Sequence, residues 1–321
     1  MIDGPPSGPP LRMHLLGRCE ILGPEGAVHL ETAKTQALLI YLVCNPGPQS
    51  RHTLMGLLWG ELPESNARRN LRRALWNLRR ELMLDGDAST ITTDRDTIAF
   101  QPGDRCEVDV TTFEAACAAL WQTWPLPSAQ HREINAGRAA ALYQGDFLEG
   151  FFVGDAAGFE EWALAERERL RTAALRVLRL QVTTLAAQER VLEAIAAARR
   201  LVTLEPWLEE GHVWLMRLLM RDGRRAQALA QYETCKATLA EALGVAPSKA
   251  TRALYEEIQA ETYPHTSAAL PAATTPFVGR QRRTGGTRLA ITSAADDSRG
   301  RFTASARALT FSGKPTSPAR P

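Results

Sequence analysis

At 321 residues, 45% hydrophobic and 23% charged, the chain has an ordinary soluble composition and enough length for two cores. Its formal net charge of +2, from 38 basic and 36 acidic residues, excludes a wholly basic nucleic-acid coat, so any electrostatic function rests on local clustering. Five scattered cysteines without a CxxC pair (Cys19, Cys44, Cys106, Cys117, Cys235) exclude a disulfide framework and a thiolate zinc site and fit a reducing cytoplasm; no apolar run approaches the roughly 20 residues that span a bilayer.

The opening MIDGPPSGPP lacks a basic stretch followed by an apolar one, and residues 1–10 read as a disordered leader. LRMHLLGRCEILGPEGAVHL alternates loosely around Gly23-Pro24 and Gly26, which predicts short strands joined by tight turns. TAKTQALLIYLVCNPG places Leu38, Leu39, Leu42 and Val43 on one helical face and stops at Asn45-Pro46-Gly47. Ser50 is positioned to cap a second helix, SRHTLMGLLWGELP, with Leu54, Leu57 and Leu58 inward; Ser65 is positioned to cap a third, NARRNLRRALWNLRREL. STITTDRDTIAFQPG then reads as a hairpin with Asp94-Arg95-Asp96 at its tip. Strand, strand, helix, helix, helix, hairpin is the order of a winged helix-turn-helix, an α+β domain expected over 11–104.

From about Glu107 the texture turns Ala/Leu-rich, predicting an all-α second domain over 105–262 and a mainly α chain overall. EEWALAERERLRTAALRVLRLQVTTLAAQ carries neither Pro nor Gly and predicts one long helix, acidic at its start as the helix dipole favours. Ala194-Ile195 and Ala228-Leu229 recur at a spacing of 34, the period of tetratricopeptide helix pairs, with Ala194 and Ala198 small enough for close helix approach. Residues 263–321, rich in Arg, Ser, Thr, Gly and Ala, hold too few large apolar side chains to fold alone.

The third helix carries the functional signal. Between Arg51 and Arg80 seven arginines stand against two acids, a local excess of five positive charges. At about 100° per residue, Leu71, Leu75, Leu78 and Leu82 form a core edge, while Arg69, Arg72, Arg73, Trp76 and Arg80 occupy the opposite face, flanked by Arg79 and Asn77. A solvated helix normally mixes charge signs; this stripe is positive throughout and offers no neutralisation of its own. Duplex DNA suits it, because arginine reaches guanine O6/N7 bidentately and a helix fits the major groove, with Asn77 placed to pair with adenine. The bland alternative folds Trp76 onto a neighbouring domain and leaves the arginines merely solvated. Arg95 at the wing tip and Lys34 at the start of the first helix are candidates for phosphate contacts, with plain surface the alternative.

On these residues the chain resembles the Streptomyces antibiotic regulatory protein class of activators, a winged helix followed by a bacterial transcriptional activator domain. The resemblance spans roughly 11–262. It rests on LRMHLLG, LLWGELPESNARRNLRRALWNLRREL and the wing, then on VDVTTFEAA, ALYQGDFLEGF, EEWALAERERL, LEPWLEEGHVWLMRLLMRDGRRAQALAQY and LAEALGVAPSKATRALYEEI. It implies binding to double-stranded promoter DNA at direct repeats by paired protomers, recruitment of RNA polymerase, and a helical module serving dimerisation or signal input. The recognition role carries over to Arg69, Arg72, Arg73, Trp76, Asn77 and Arg80; Trp76 stands where smaller or polar residues are more usual, and the wing reads TIAF in place of an aromatic-Arg-Leu pattern. Pro276-Phe277-Val278-Gly279-Arg280 resembles the opening of the ATPase module of larger relatives, but QRRTGGTRLAI lacks the lysine and first glycine of a phosphate loop, which predicts the remnant of a lost module.

An enzyme is not expected. His14, His29, His52, His131, His212 and His265 are isolated, HExxH is absent, and His212 beside Glu209 and Glu210 reads as part of a solvated face, so neither metal nor cofactor is implied. The competing class is a helical-repeat interaction scaffold with a degenerate winged helix.

Overall fold

The structure, a computed structural model, describes residues 11–24, 26–82, 91–101, 106–122 and 128–260. The expected leader over 1–10 and the expected tail and module remnant over 263–321 lie outside the described residues.

Leu11–His14 (β1), Glu20–Gly23 (β2) and Gly26–Ala27 (β3) pair antiparallel in chain order. In β1, Leu11 and Met13 are buried while Arg12 and His14 are exposed, the alternation a half-buried strand requires. Ala33–Cys44 (α1) is capped by Thr32, whose hydroxyl accepts the Thr35 N–H at 3.1 Å. Gln49–Ser50 (β4), Arg51–Trp59 (α2), Glu64–Glu81 (α3), Ile91–Thr93 (β5) and Thr97–Phe100 (β6) follow, with β4, β6 and β5 forming a second sheet in that order. Ser50 holds the expected N-cap position of α2, but its side chain makes no capping bond; its backbone pairs with Thr97. Ser65 does not cap α3, because the helix begins one residue earlier at Glu64, directly after Pro63.

Cys106–Val108 (β7) leads into Asp109–Trp121 (α4), Ala129–Leu142 (α5), Ala157–Ala187 (α6), Val191–Leu204 (α7), Glu209–Arg221 (α8), Arg225–Leu243 (α9) and Lys249–Gln259 (α10). The chain is mainly α-helical, a winged helix-turn-helix followed by an all-α, tetratricopeptide-like domain in which each helix packs on the next. The repeat is structural: α7 and α9 begin 34 residues apart, and Ala194, Ala198 and Ala228 are fully buried where their helices meet neighbours.

The two halves share one hydrophobic core. β7 pairs parallel with β1, so a strand read with the second half closes the first sheet. Immediately after it, the Asp109 carboxylate accepts N–H groups from Leu15 at 2.8 Å and Leu16 at 2.9 Å, and from its neighbour Val110 at 2.7 Å. Burial pushes the Asp109 carboxyl above its ordinary pKa, against the pull of these donors. The QGDFLEG segment zips onto the same stretch: Gly17 donates to Asp146 at 3.0 Å, and Leu148 and Glu149 donate to Leu15 and Gly17 at 2.9 Å. Gly17 sits at φ +111°, which only glycine adopts without strain; buried Leu148 is held at φ 55°.

Trp162 of α6 gathers Tyr41 of α1, Phe147 and Phe159 around itself, with ring centroids 5.0, 5.8 and 5.3 Å away. At the root of α6, a Cβ on Gly158 would lie 3.2 Å from both the Cα and the carbonyl oxygen of Leu57. Gly158→Val therefore drives α6 off α2. We expect a loss of about 1–3 kcal/mol, as overpacked cores show, read as a lower urea midpoint; unchanged stability would mean the two helices are not in close contact in solution.

Candidate nucleic-acid interface

Helix α3 owes its orientation to its leucine edge. Ala67, Leu71, Ala74, Leu75 and Leu78 are buried, and Leu82 closes the row. The wing fastens the far end: an Arg79 guanidinium nitrogen donates to the carbonyl of Ile91 at 3.3 Å and to the Thr93 hydroxyl at 3.1 Å. The wing turn is tied in turn to α2, whose Arg51 N–H meets the Asp96 carbonyl at 2.9 Å while its side chain reaches that of Asp94. Arg79 and Arg80 occupy the last turn of α3, where the helix dipole favours positive charge.

The opposite face is exposed at Arg69, Arg72, Arg73, Trp76 and Arg80. Trp76 keeps 57% of its surface in solvent, and the Arg80 guanidinium lies over its ring 4.5 Å from the centroid. Trp76 is thus not folded onto the helical half. Arg69 and Arg72 have no ion pair among the described residues.

The stripe is nevertheless less uncompensated than its helical wheel predicts. Arg73 pairs with Glu31, a residue ahead of α1; Arg80 pairs with Glu81, and Arg68 with Glu64. Asn77 requires a larger correction. It is 1% exposed, and its Oδ1 accepts the Glu31 N–H at 3.3 Å, so it does not face outward to meet adenine. The wheel places it on the flank, and the segment entering α1 covers that flank.

Lys34 is also otherwise engaged. Its ammonium lies 2.8 Å from the Asp155 carboxylate and donates to the Asp155 carbonyl at 3.0 Å, leaving its side chain 15% exposed. It bridges the two halves of the chain and does not offer a free charge. This pair holds the Asp155 carboxyl below its ordinary value even though that group is exposed. The Arg73–Glu31 and Lys34–Asp155 pairs line one cleft of about 440 Å³, with Phe152 exposed at its edge. Arg95 stays exposed on the wing turn between Asp94 and Asp96.

His212 is corrected too. It is buried, with Nε2 2.7 Å from the Pro206 carbonyl and Nδ1 2.7 Å from the Gln231 amide nitrogen, so it joins α8 to α9 and belongs to no solvated face. Glu31 and Asp155 escaped the sequence reading because each meets its partner only across the tertiary fold. The acid just ahead of the Thr32 cap was the available signal for Glu31.

A third helix with an arginine face is thus braced by a wing and joined to a helical-repeat domain. Residues 108–259 match the family model of the bacterial transcriptional activator domain. In sequence the chain is similar to regulatory protein AfsR of Streptomyces coelicolor, 28% identical over 82% of this chain and 28% of that protein. It is also similar to the transcriptional regulatory protein MoaR1 of Mycobacterium tuberculosis, 27% identical over 77% of this chain and 79% of that one. The chain spans only about a quarter of the length of the AfsR proteins of S. coelicolor and S. griseus. Its fold is similar to that of Mycobacterium tuberculosis EmbR in complex with a low affinity phosphopeptide, with a TM-score of 0.58 at 24% identity, covering 78% of this chain and 65% of that one. Among the described residues no helix is long and apolar enough to cross a membrane.

The division of α3 into two faces has a measurable signature. Trp76→Ala removes an exposed ring and is expected to cost no more than the roughly 0.5–1 kcal/mol of a surface cation–π contact, whereas Leu75→Ala, one residue earlier, removes a buried side chain and is expected to cost about 2–5 kcal/mol. Urea unfolding of the two variants side by side checks this; a Trp76→Ala loss equal to that of Leu75→Ala would place the ring in the core.

Proposed function

We propose that this protein is a sequence-specific DNA-binding transcriptional activator that acts in the cytoplasm and reads promoter DNA with α3. The observation that carries the reading is the exposed Arg69, Arg72, Trp76 and Arg80 stripe, with Arg69 and Arg72 unpaired among the described residues. Such a stripe repels itself until an anion arrives, and the major groove accepts a helix of this kind.

Arg69 and Arg72 lead base and phosphate contact. Trp76 offers an apolar surface to a thymine methyl or sugar edge, with Arg80 stacked on it. Arg73 joins them where the sequence draws it from Glu31. The β5–β6 wing lies along the backbone, where Arg95 meets a phosphate. Asn77 and Lys34 have no place in this contact set, since one is buried and the other bridges to Asp155.

The resemblance to regulators of the Streptomyces antibiotic regulatory protein type supports the remainder: paired protomers on direct repeats, and recruitment of RNA polymerase once bound. No cofactor is needed for either step. The transcriptional role named for MoaR1, which this chain matches over most of both lengths, supports the same reading.

Genome-wide footprinting of the full chain identifies its sites, and gel-shift titration on those duplexes tests the helix. The Arg69→Ala/Arg72→Ala variant is expected to keep its thermal unfolding profile and lose roughly thirtyfold or more in affinity, two bidentate contacts being worth about 1–3 kcal/mol each. Binding by the wild-type chain is expected to weaken steeply as salt rises, since neutralised phosphates release counterions. Undiminished affinity in the double variant would remove α3 as the reading helix.

A further inference from the structure

A buried asparagine on the covered flank of α3 is an unfavourable choice of residue. Among the described residues its Nδ2 has no hydrogen-bond partner, although the side chain is only 1% exposed. What Asn77 does hold is the backbone of Glu31, 46 positions away, through its Oδ1. Glu31 then closes its carboxylate on Arg73, one turn before Asn77 on the same helix. Thr32, next in the chain, caps α1 with its hydroxyl, so the Glu31 segment is fixed from both sides. One helix thus carries both an arginine of the recognition face and the anchor for the acid that neutralises it.

We infer that Glu31 is a specificity-determining residue, positioned by Asn77 to keep Arg73 neutralised until a matching base edge draws it away. The inference rests on the DNA-binding reading proposed above. On an unmatched duplex Arg73 meets phosphates, anions that pair with a guanidinium much as the Glu31 carboxylate already does, so it gains little by the exchange. A correctly placed guanine offers a planar, bidentate acceptor pair, which repays the exchange. Glu31 therefore penalises binding to the wrong sequence more than binding to the right one, which is how a repulsive group confers discrimination.

The geometry also separates Arg73 from its neighbours. Arg69 and Arg72 have no acid to displace among the described residues and are available to any duplex. Their base and phosphate contacts displace no ion pair of their own. Arg73 has 71% of its side chain exposed, so access does not limit it; the pair with Glu31 does.

The test uses the full chain with two probes: duplexes that the wild-type protein enriches from a randomised library, and the unselected library itself. Glu31→Gln is expected to bind the unselected library about twofold to fivefold more tightly, the scale of one exposed ion pair, and to steepen its salt dependence by about 0.9 in log–log slope for one added phosphate contact. Affinity for the enriched duplexes is expected to change less, so the ratio between the probes falls. Asn77→Leu, which suits the apolar surroundings, is expected to lower the same ratio without loss of thermal stability. In an Arg73→Ala background Glu31→Gln is expected to have no effect on the ratio.

An unchanged ratio and slope in Glu31→Gln, with the Arg69→Ala/Arg72→Ala variant still losing the enriched duplexes, would overturn the inference and leave the DNA-binding reading standing. An equal gain on both probes would overturn it too, making Glu31 a general brake. If the arginine double variant binds like wild type, the parent reading falls and takes this one with it.

Discussion

The Asp109 carboxylate, closed on the N–H groups of Leu15 and Leu16, is the contact on which the remaining architecture depends. Those N–H groups follow directly on β1, where the ladder ends, and would otherwise be buried without acceptors, a cost folded chains avoid. Because the acid is also the first residue of α4, satisfying them fixes where the helical half begins and in what direction it leaves the sheet. The parallel β1–β7 pairing and the Gly17–Asp146 zipper continue the same weld on either side. Helix α3 is consequently not a head on a flexible stalk. Its bearing is set by a core that runs without interruption into the helical repeats.

Much of this was legible in the sequence, for identifiable reasons. Helices α1 to α3 and the β5–β6 hairpin declare themselves through local periodicity and turn residues, and the 34-residue recurrence of small side chains finds the paired helices. The leucine edge of α3 is likewise a one-dimensional pattern. What eluded the pattern is every contact made between distant segments. β7 is three residues long and joins a strand about 95 positions earlier; no local signal marks it. Asn77 looked outward because a helical wheel has no knowledge of what crosses its flank. Lys34 looked like a free charge because Asp155 lies 121 positions away.

The same distinction governs the electrostatics. A count of charges along α3 gives a single-signed face, and within the helix that count is nearly right. The compensating acids come from outside or from its ends: Glu31 from the approach to α1, Glu64 and Glu81 from the termini. The surface is graded, with Arg69 and Arg72 open among the described residues and Arg68, Arg73 and Arg80 held by acids. Arg80 lies over the half-exposed Trp76 ring, which preorients its planar cation.

Helix α6 has a mechanical property that follows from its length and its root. Its 31 residues make a rod about 46 Å long at 1.5 Å per residue. One end is seated by Gly158 directly on α2, the helix that also packs against α3. A rod of that length pivoting at its root turns through only about 6° when its tip moves by about 5 Å. By that geometry α6 is a long arm on a close seat, and a shift of its far end corresponds to only a fine change of tilt where Gly158 meets α2.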